Sequence, residues 1–418
     1  MRTIFRSLSM AAIVAGIAVS GAFAQNVCDD LDGATAKYDG FLKTYASTDV
    51  KQLPAIKASL ADGKEFLEKW GACESWKEQV AFVKPWVPRV EKKVVDMDKF
   101  VQLQPKFDRF DAAIKADNID EIYGAGKEIL AVDPNLHNIK YVMAVSSVVE
   151  VAKSLTAKTP SKYAGEAHNH AKSLYDQIKS GSLKLDRKIG DKESIGVLKW
   201  ERTREEAISQ LAYTLGYVNF YGTNNKKGAV PYYYEVTQLP GFYKTYPPVY
   251  ATLGDFYVEE SAPIGAKIAD GIKRIAATSV EDEKIKINEE VKANVALFNG
   301  YTERALDAYG RAWSIAKADT PVEKTYKDNL LKIVRDLYKR RTDKDTGAEQ
   351  WVATAVAKPL PNPTSTVEPV SDPDPATTTT TSSTGTGTGV GAANGTGVGA
   401  ANGTGAAPKA GPTAKAKP

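Results

Sequence analysis

Cysteine, histidine and methionine are scarce in this 418-residue chain, with two, three and four copies respectively. Two cysteines cannot build a paired-cysteine metal knuckle, and Cys28 and Cys73 lie too far apart in sequence to form a C-x-x-C redox pair. Histidine supplies few metal ligands. In His168-Asn169-His170 the two imidazoles stand roughly 200° apart around a helix, so they do not readily face one ion. Glu166 and His170 can share a face, but two ligands are too few. These histidines, and His137, read as exposed helix residues, and no metal site is expected. Charge of one sign is also lacking: the formal net charge is +4, and it moves closer to neutral once Arg2 and Arg6 at the start are set aside. Nucleic-acid binding needs concentrated basic surface, which this balance does not supply. Nucleophile elbows and zinc-protease helices are missing too. The expectation is a non-enzymatic protein with no catalytic residue and no cofactor.

Long apolar runs are confined to the first residues. Arg2 and Arg6 precede an apolar stretch from Leu8 to Val19, and Ala22-Phe23-Ala24 offers the small residues a leader peptidase accepts. Residues 1–24 therefore read as a signal peptide cleaved after Ala24, which places the mature chain outside the cytoplasm, periplasmic or secreted. Asn26 and Val27 replace the small residues expected before a lipoprotein cysteine, so Cys28 is not a lipid site. Export puts Cys28 and Cys73 in an oxidising compartment. Leu31, Tyr38, Leu42 and Tyr45 mark one helix face, and Leu53, Ile56, Leu60, Leu67 and Trp70 mark the next. Ser47-Thr48-Asp49 caps the turn between them, so the helices return on each other. Cys28 and Cys73 then fall at adjacent ends of the hairpin and are expected to pair.

Helical spacing continues through Trp76–Phe82, Phe107–Ile114, Ile119–Leu130, Ile139–Leu155, Ala207–Tyr221, Ile285–Phe298, Ala305–Ile315 and Leu330–Tyr338. Strand-like alternation is nearly absent. Pro85 and Pro88 should break or kink the third helix. Polar joints at Ala116-Asp117-Asn118, Asp133-Pro134-Asn135 and Asp319-Thr320-Pro321 separate neighbouring helices. The fold class is all-α, with antiparallel helical hairpins stacked in sequence. It divides into an N-terminal hairpin region at 25–104 and a repeat region at 105–358. A tail follows at 359–418, rich in Thr, Gly, Ala and Pro and without any Phe, Tyr or Trp; it has little to bury and should be disordered.

Several of these hairpins resemble tetratricopeptide repeats. The fullest copy is Tyr250-x2-Leu253-Gly254-x2-Tyr257 followed by Ala266, and a weaker one begins at Leu215-Gly216 with Ala229, Tyr233 and Pro240 nearby. Ala305-x3-Tyr309-x2-Ala312 matches a second-helix half, and Leu130 to Asn135 resembles a repeat-ending turn. The resemblance implies an irregular solenoid in which Gly254 lets two helices approach closely. By analogy it implies a scaffold or adaptor that binds another protein in the cell envelope. An exported enzyme acting on cell-wall polymer and a structural tether are the alternatives.

Other motifs do not survive inspection. Gly124-Ala125-Gly126-Lys127 looks like the end of a phosphate loop, but Glu121 and Glu128 occupy key positions and the segment is helical. Asp343-Lys344-Asp345-Thr346-Gly347 lacks the later ligands of a calcium loop. Asn394 and Asn402 fit glycosylation sequons. One concentration is unusual: ten of the 20 tyrosines fall between Tyr213 and Tyr257. Tyr213, Tyr217 and Tyr221 form a stripe spaced by four, and Tyr232 begins a run of three. These four are the candidate contact residues for a protein partner, while Tyr250, Leu253 and Tyr257 are assigned to the core.

Overall fold

The computed structural model describes residues 27–183 and 203–371, together with the backbone of 187–189 and 192–194. The leader, its cleavage after Ala24, the sequons at Asn394 and Asn402 and the tail beyond Ser371 lie outside the described residues. The chain forms two units that meet between Ala112 and Ala113, eight residues later than the sequence division.

In the first unit, helix α1 (Leu31–Leu42) opens with Asp30, whose carboxylate accepts a hydrogen bond from the Gly33 amide at 2.9 Å. The Asp49 side chain accepts from the Lys51 amide and starts the turn into α2 (Leu53–Trp70). Phe41, Ile56 and Phe66 are buried between these helices and α3 (Lys77–Lys115), which contributes Val83 and Val90. Leu31 does not join the apolar face; it is 57% exposed, and Ala34 and Phe41 form the inner surface instead. Cys28 and Cys73 are joined as a disulfide with a sequence separation of 45.

α3 is 39 residues long and continuous through Pro85, Pro88 and Pro105. The helix does not break at Pro85 and Pro88, and solvent explains the tolerance. Both prolines are exposed, as are Ala81 and Lys84, whose carbonyls lose their amide partners and can turn to water.

The second unit begins with α4 (Ile119–Val132), α5 (His137–Ala157) and α6 (Ala164–Ser180). A short antiparallel β-hairpin, β1 (Arg187–Ile189) and β2 (Lys192–Ser194), precedes α7 (Arg204–Tyr217). α7 runs into a π-turn at Val218–Gly222, followed by α8 (Lys226–Gln238) and a 3-10 turn at Phe242–Thr245. Then come α9 (Pro247–Ala277), α10 (Glu281–Ile315), α11 (Pro321–Thr342) and α12 (Ala348–Val356). Each helix from α4 to α11 packs on its successor, and α5 also reaches α7. The architecture is an all-α helical stack. Two of the three expected joints cap the following helix: Asn118 accepts from the Glu121 amide, and Thr320 forms a capping box with Glu323 while Pro321 occupies the first turn. At Asp133-Pro134-Asn135 the next helix starts after Leu136 without a side-chain cap.

The tetratricopeptide-like segments fold unevenly. At α7–α8 the weaker copy forms a helical pair, and a Cβ on Gly216 would sit 3.2 Å from the Tyr233 ring. The fuller copy does not form one. Tyr250, Leu253, Gly254, Tyr257 and Ala266 all lie on α9, a single 31-residue helix. Its partner is α10, at 35 residues, so this pair far exceeds a repeat of about 34 residues. Gly254 still serves close approach, because a Cβ there would lie 2.5 Å from the ring of Tyr309 on α10.

The expected start of the tail at Pro359 is also corrected. Residues 359–371 form no helix or strand; they turn at 363–365 and run along α10, with Pro363 and Val367 buried. The Val370 amide donates to the Ala296 carbonyl at 2.8 Å, and Asn299 Nδ2 donates to the Val370 carbonyl at 3.2 Å. Gly300 makes room for this segment: a Cβ there would be 2.2 Å from the Glu368 carbonyl oxygen. A lack of aromatics does not prevent docking when proline and valine can fill a groove.

Candidate functional site

The four candidate tyrosines do not form one surface. From Ala207 to Phe220 every residue is buried, because α7 has α5, α6 and α8 packed around it. A stripe on such a helix faces other helices on every side. Tyr213 stacks on Tyr243 with centroids 4.2 Å apart and meets Tyr233 and Tyr246 edge-on. Burial raises its phenol pKa well above the ordinary value. Tyr217 is also buried, with its phenol pushed up to about 12, first by desolvation and then by the proximity of Tyr246. The expectation of a contact surface is therefore corrected at Tyr213 and Tyr217, which are core residues.

Tyr221 and Tyr232 keep partial exposure. The Tyr221 hydroxyl lies 3.0 Å from Thr252 Oγ1 on α9. Tyr232 meets Tyr175 of α6 edge-on at 5.6 Å. Beside that pair, the Tyr175 hydroxyl donates to Glu235, and Lys179 donates to both Glu235 Oε1 and Tyr175 Oη at 2.8 and 2.7 Å. Desolvation pushes the Tyr175 phenol up to about 12, and the hydrogen bond to Glu235 adds to it. This α6–α8 clasp was not legible in sequence, because its members are 56 and 60 residues apart.

Deeper in the unit, the Tyr309 hydroxyl donates to Asp255 Oδ1. The hydroxyls of Tyr217, Tyr233 and Tyr326 are buried without a partner among the described residues. Burial raises the Asp255 carboxyl above its usual value, against the lowering effect of Tyr309. All these phenols stay protonated at neutral pH, so the cluster offers neutral hydrogen-bonding groups and no ready phenolate nucleophile. The sign of the linkage follows. A carboxyl whose pKa is raised on folding contributes stability below its unfolded value of 3.8, and that contribution is lost as pH rises through the folded value. Asp255→Asn keeps an acceptor for Tyr309 and removes the buried charge. The variant should melt above the parent at pH 7, with the gap shrinking toward pH 4; a gap that widens on acidification in paired thermal melts contradicts this account.

The remaining motifs take structural places. Lys127, in the phosphate-loop lookalike, lies within α4 and pairs with Glu166 at 2.7 Å. Asp343 and Gly347 adopt left-handed backbone at the joint between α11 and α12. His137, His168 and His170 are half-buried rather than exposed. His170 lies 3.5 Å from Glu166 with its pKa lowered by burial. Among the described residues no group of three or more His, Cys, Asp or Glu side chains stands together as a metal site. No protein-family model, curated protein or solved structure matches this chain.

Proposed function

We propose that this protein is a non-enzymatic helical scaffold, exported from the cytoplasm, that holds another protein in the cell envelope. The disulfide suits an oxidising compartment, and no helix among the described residues is long and apolar enough to cross a membrane. A periplasmic or secreted location rests on the leader sequence. The tetratricopeptide-like character of α7–α8 supports a binding role by analogy only.

The observation that carries the reading is at the joined ends of α9 and α10. Ile272 and Val280 are each 56% exposed and Ile285 51%, all within about two helical turns of the joint. Large apolar side chains grouped at the end of a long hairpin are typical of a surface that a partner covers. The partner-facing residues are thus Ile272, Val280 and Ile285, with Tyr232 as a further candidate on α8.

The test uses the full exported chain, crosslinked to envelope extract, beside an Ile272→Asp/Ile285→Asp variant. One dominant protein partner, reduced at least tenfold in the variant with an unchanged melting curve, supports the scaffold. Retention by purified cell-wall polymer with turnover would establish the enzyme instead. Retention that depends only on the residues after Ser371 would establish the tether.

A further inference from the structure

The first unit carries a groove that the scaffold reading leaves unused. It has a volume of about 430 Å³ and is lined by Thr48 and Val50 of the α1–α2 connection and by Arg89, Lys92, Lys93, Asp96, Met97 and Phe100 of α3. The α3 residues follow a spacing of three and four, so they share one face of the helix. That face has a cationic end and an apolar end.

At the cationic end, Arg89 has no carboxylate partner among the described residues. Its guanidinium lies 5.3 Å from the Trp86 ring centroid, a contact that limits its freedom without neutralising it. Lys93 Nζ donates to the Tyr45 and Ser47 carbonyls at 2.7 and 2.9 Å. An ammonium has three N–H groups, so one remains without a protein partner among the described residues. Desolvation lowers the Lys93 pKa. The only lining carboxylate, Asp96, is paired with Lys92 at 2.6 Å. The lining charges therefore leave Arg89 and Lys93 unbalanced. The apolar lining is Val50, the buried Met97 and Phe100, which is 49% exposed and follows Met97 by one turn of α3.

We infer that this groove binds a small amphipathic anion, with a carboxylate or phosphate head at Arg89 and Lys93 and a short apolar body along Val50, Met97 and Phe100. A purely structural role accounts for Lys93, which ties the α1–α2 connection to α3. It does not account for the unpaired Arg89 or for the exposed Phe100. The inference is independent of the scaffold reading, since every lining residue belongs to the first unit.

Two probes separate the head from the body: sodium octanoate, and inorganic phosphate as a head without a tail. Calorimetric titration of the full chain should show octanoate binding at least fivefold tighter than phosphate. Arg89→Gln should weaken both at least tenfold, and Phe100→Ser should weaken octanoate alone. Both side chains are exposed, so the melting curves of the variants should match the parent; a shared loss of binding and folding calls for Arg89→Lys, which should then bind octanoate with intermediate affinity. Failure of octanoate to bind at millimolar concentration, or binding indifferent to Arg89→Gln, overturns the site. Equal binding of the two probes, unaffected by Phe100→Ser, overturns the amphipathic assignment.

Discussion

Replacing Cys28 and Cys73 together by serine is expected to destabilise the first unit by about 4 kcal/mol, the chain-entropy value for a closed loop of this length. The disulfide has a sequence separation of 45, and its loop encloses all of α1 and α2. Without it, the unfolded first unit gains the freedom that the crosslink removes. Little else fastens the beginning of the described chain; the Trp70 indole donates to the Val27 carbonyl at 2.8 Å, next to the bridge. The first unit is small, and a loss of this size shifts the midpoint of such a domain by roughly 20 °C. The double-serine protein should show an early transition in calorimetry that the parent shows only after reduction. Intact mass after alkylation, without reductant, should find no modified cysteine in the parent. A double variant that melts within two or three degrees of the parent would falsify the assigned contribution.

The second large effect concerns the end of the described chain. Truncation after Lys358 should lower the melting midpoint of the second unit, because it removes the buried Pro363 and Val367 and the hydrogen bonds this segment makes to α10. Pro363 and Val367 fill the surface of α10, and Arg304 adds hydrogen bonds to the Asn362 carbonyl and Ser365 Oγ, both at 3.2 Å. Truncation after Ser371 should leave the melting curve unchanged, because the residues beyond it contain no Leu, Ile, Met or aromatic side chain and only two valines, Val390 and Val398. Gly300→Ala provides an independent check. Its methyl meets the Glu368 carbonyl, so it should reproduce much of the loss after Lys358 and open this segment to proteolysis. Equal melting of both truncations would show that the docked segment contributes nothing.

Much of the local organisation was written in short-range pattern. Asn118, Thr203 and Thr320 lie just ahead of helices and accept from the amide three residues on, a chemistry complete within one turn. The cysteine pairing was legible because two apolar stripes and a capped turn placed Cys28 and Cys73 at neighbouring helix ends. The all-α class followed from apolar spacing that never settled into alternation. The groove on α3 had a signal too, since Arg89, Lys93 and Phe100 lie on one face, but spacing alone does not reveal that Arg89 lacks a partner.

What the sequence by itself determined was helix, cap and crosslink, all properties of residues near one another along the chain. What only tertiary structure decided was which helix faces remain free. The stripe of Tyr213, Tyr217 and Tyr221 looks like a surface until α5, α6 and α8 are packed around α7. Ala266 looks like the second helix of a repeat until α9 proves continuous. Pro359 looks like the start of an unpacked tail until Gly300, 59 positions earlier, makes room for its neighbours. In each case the deciding contact joins residues far apart in sequence, and burial is settled by what arrives from elsewhere in the fold rather than by local pattern.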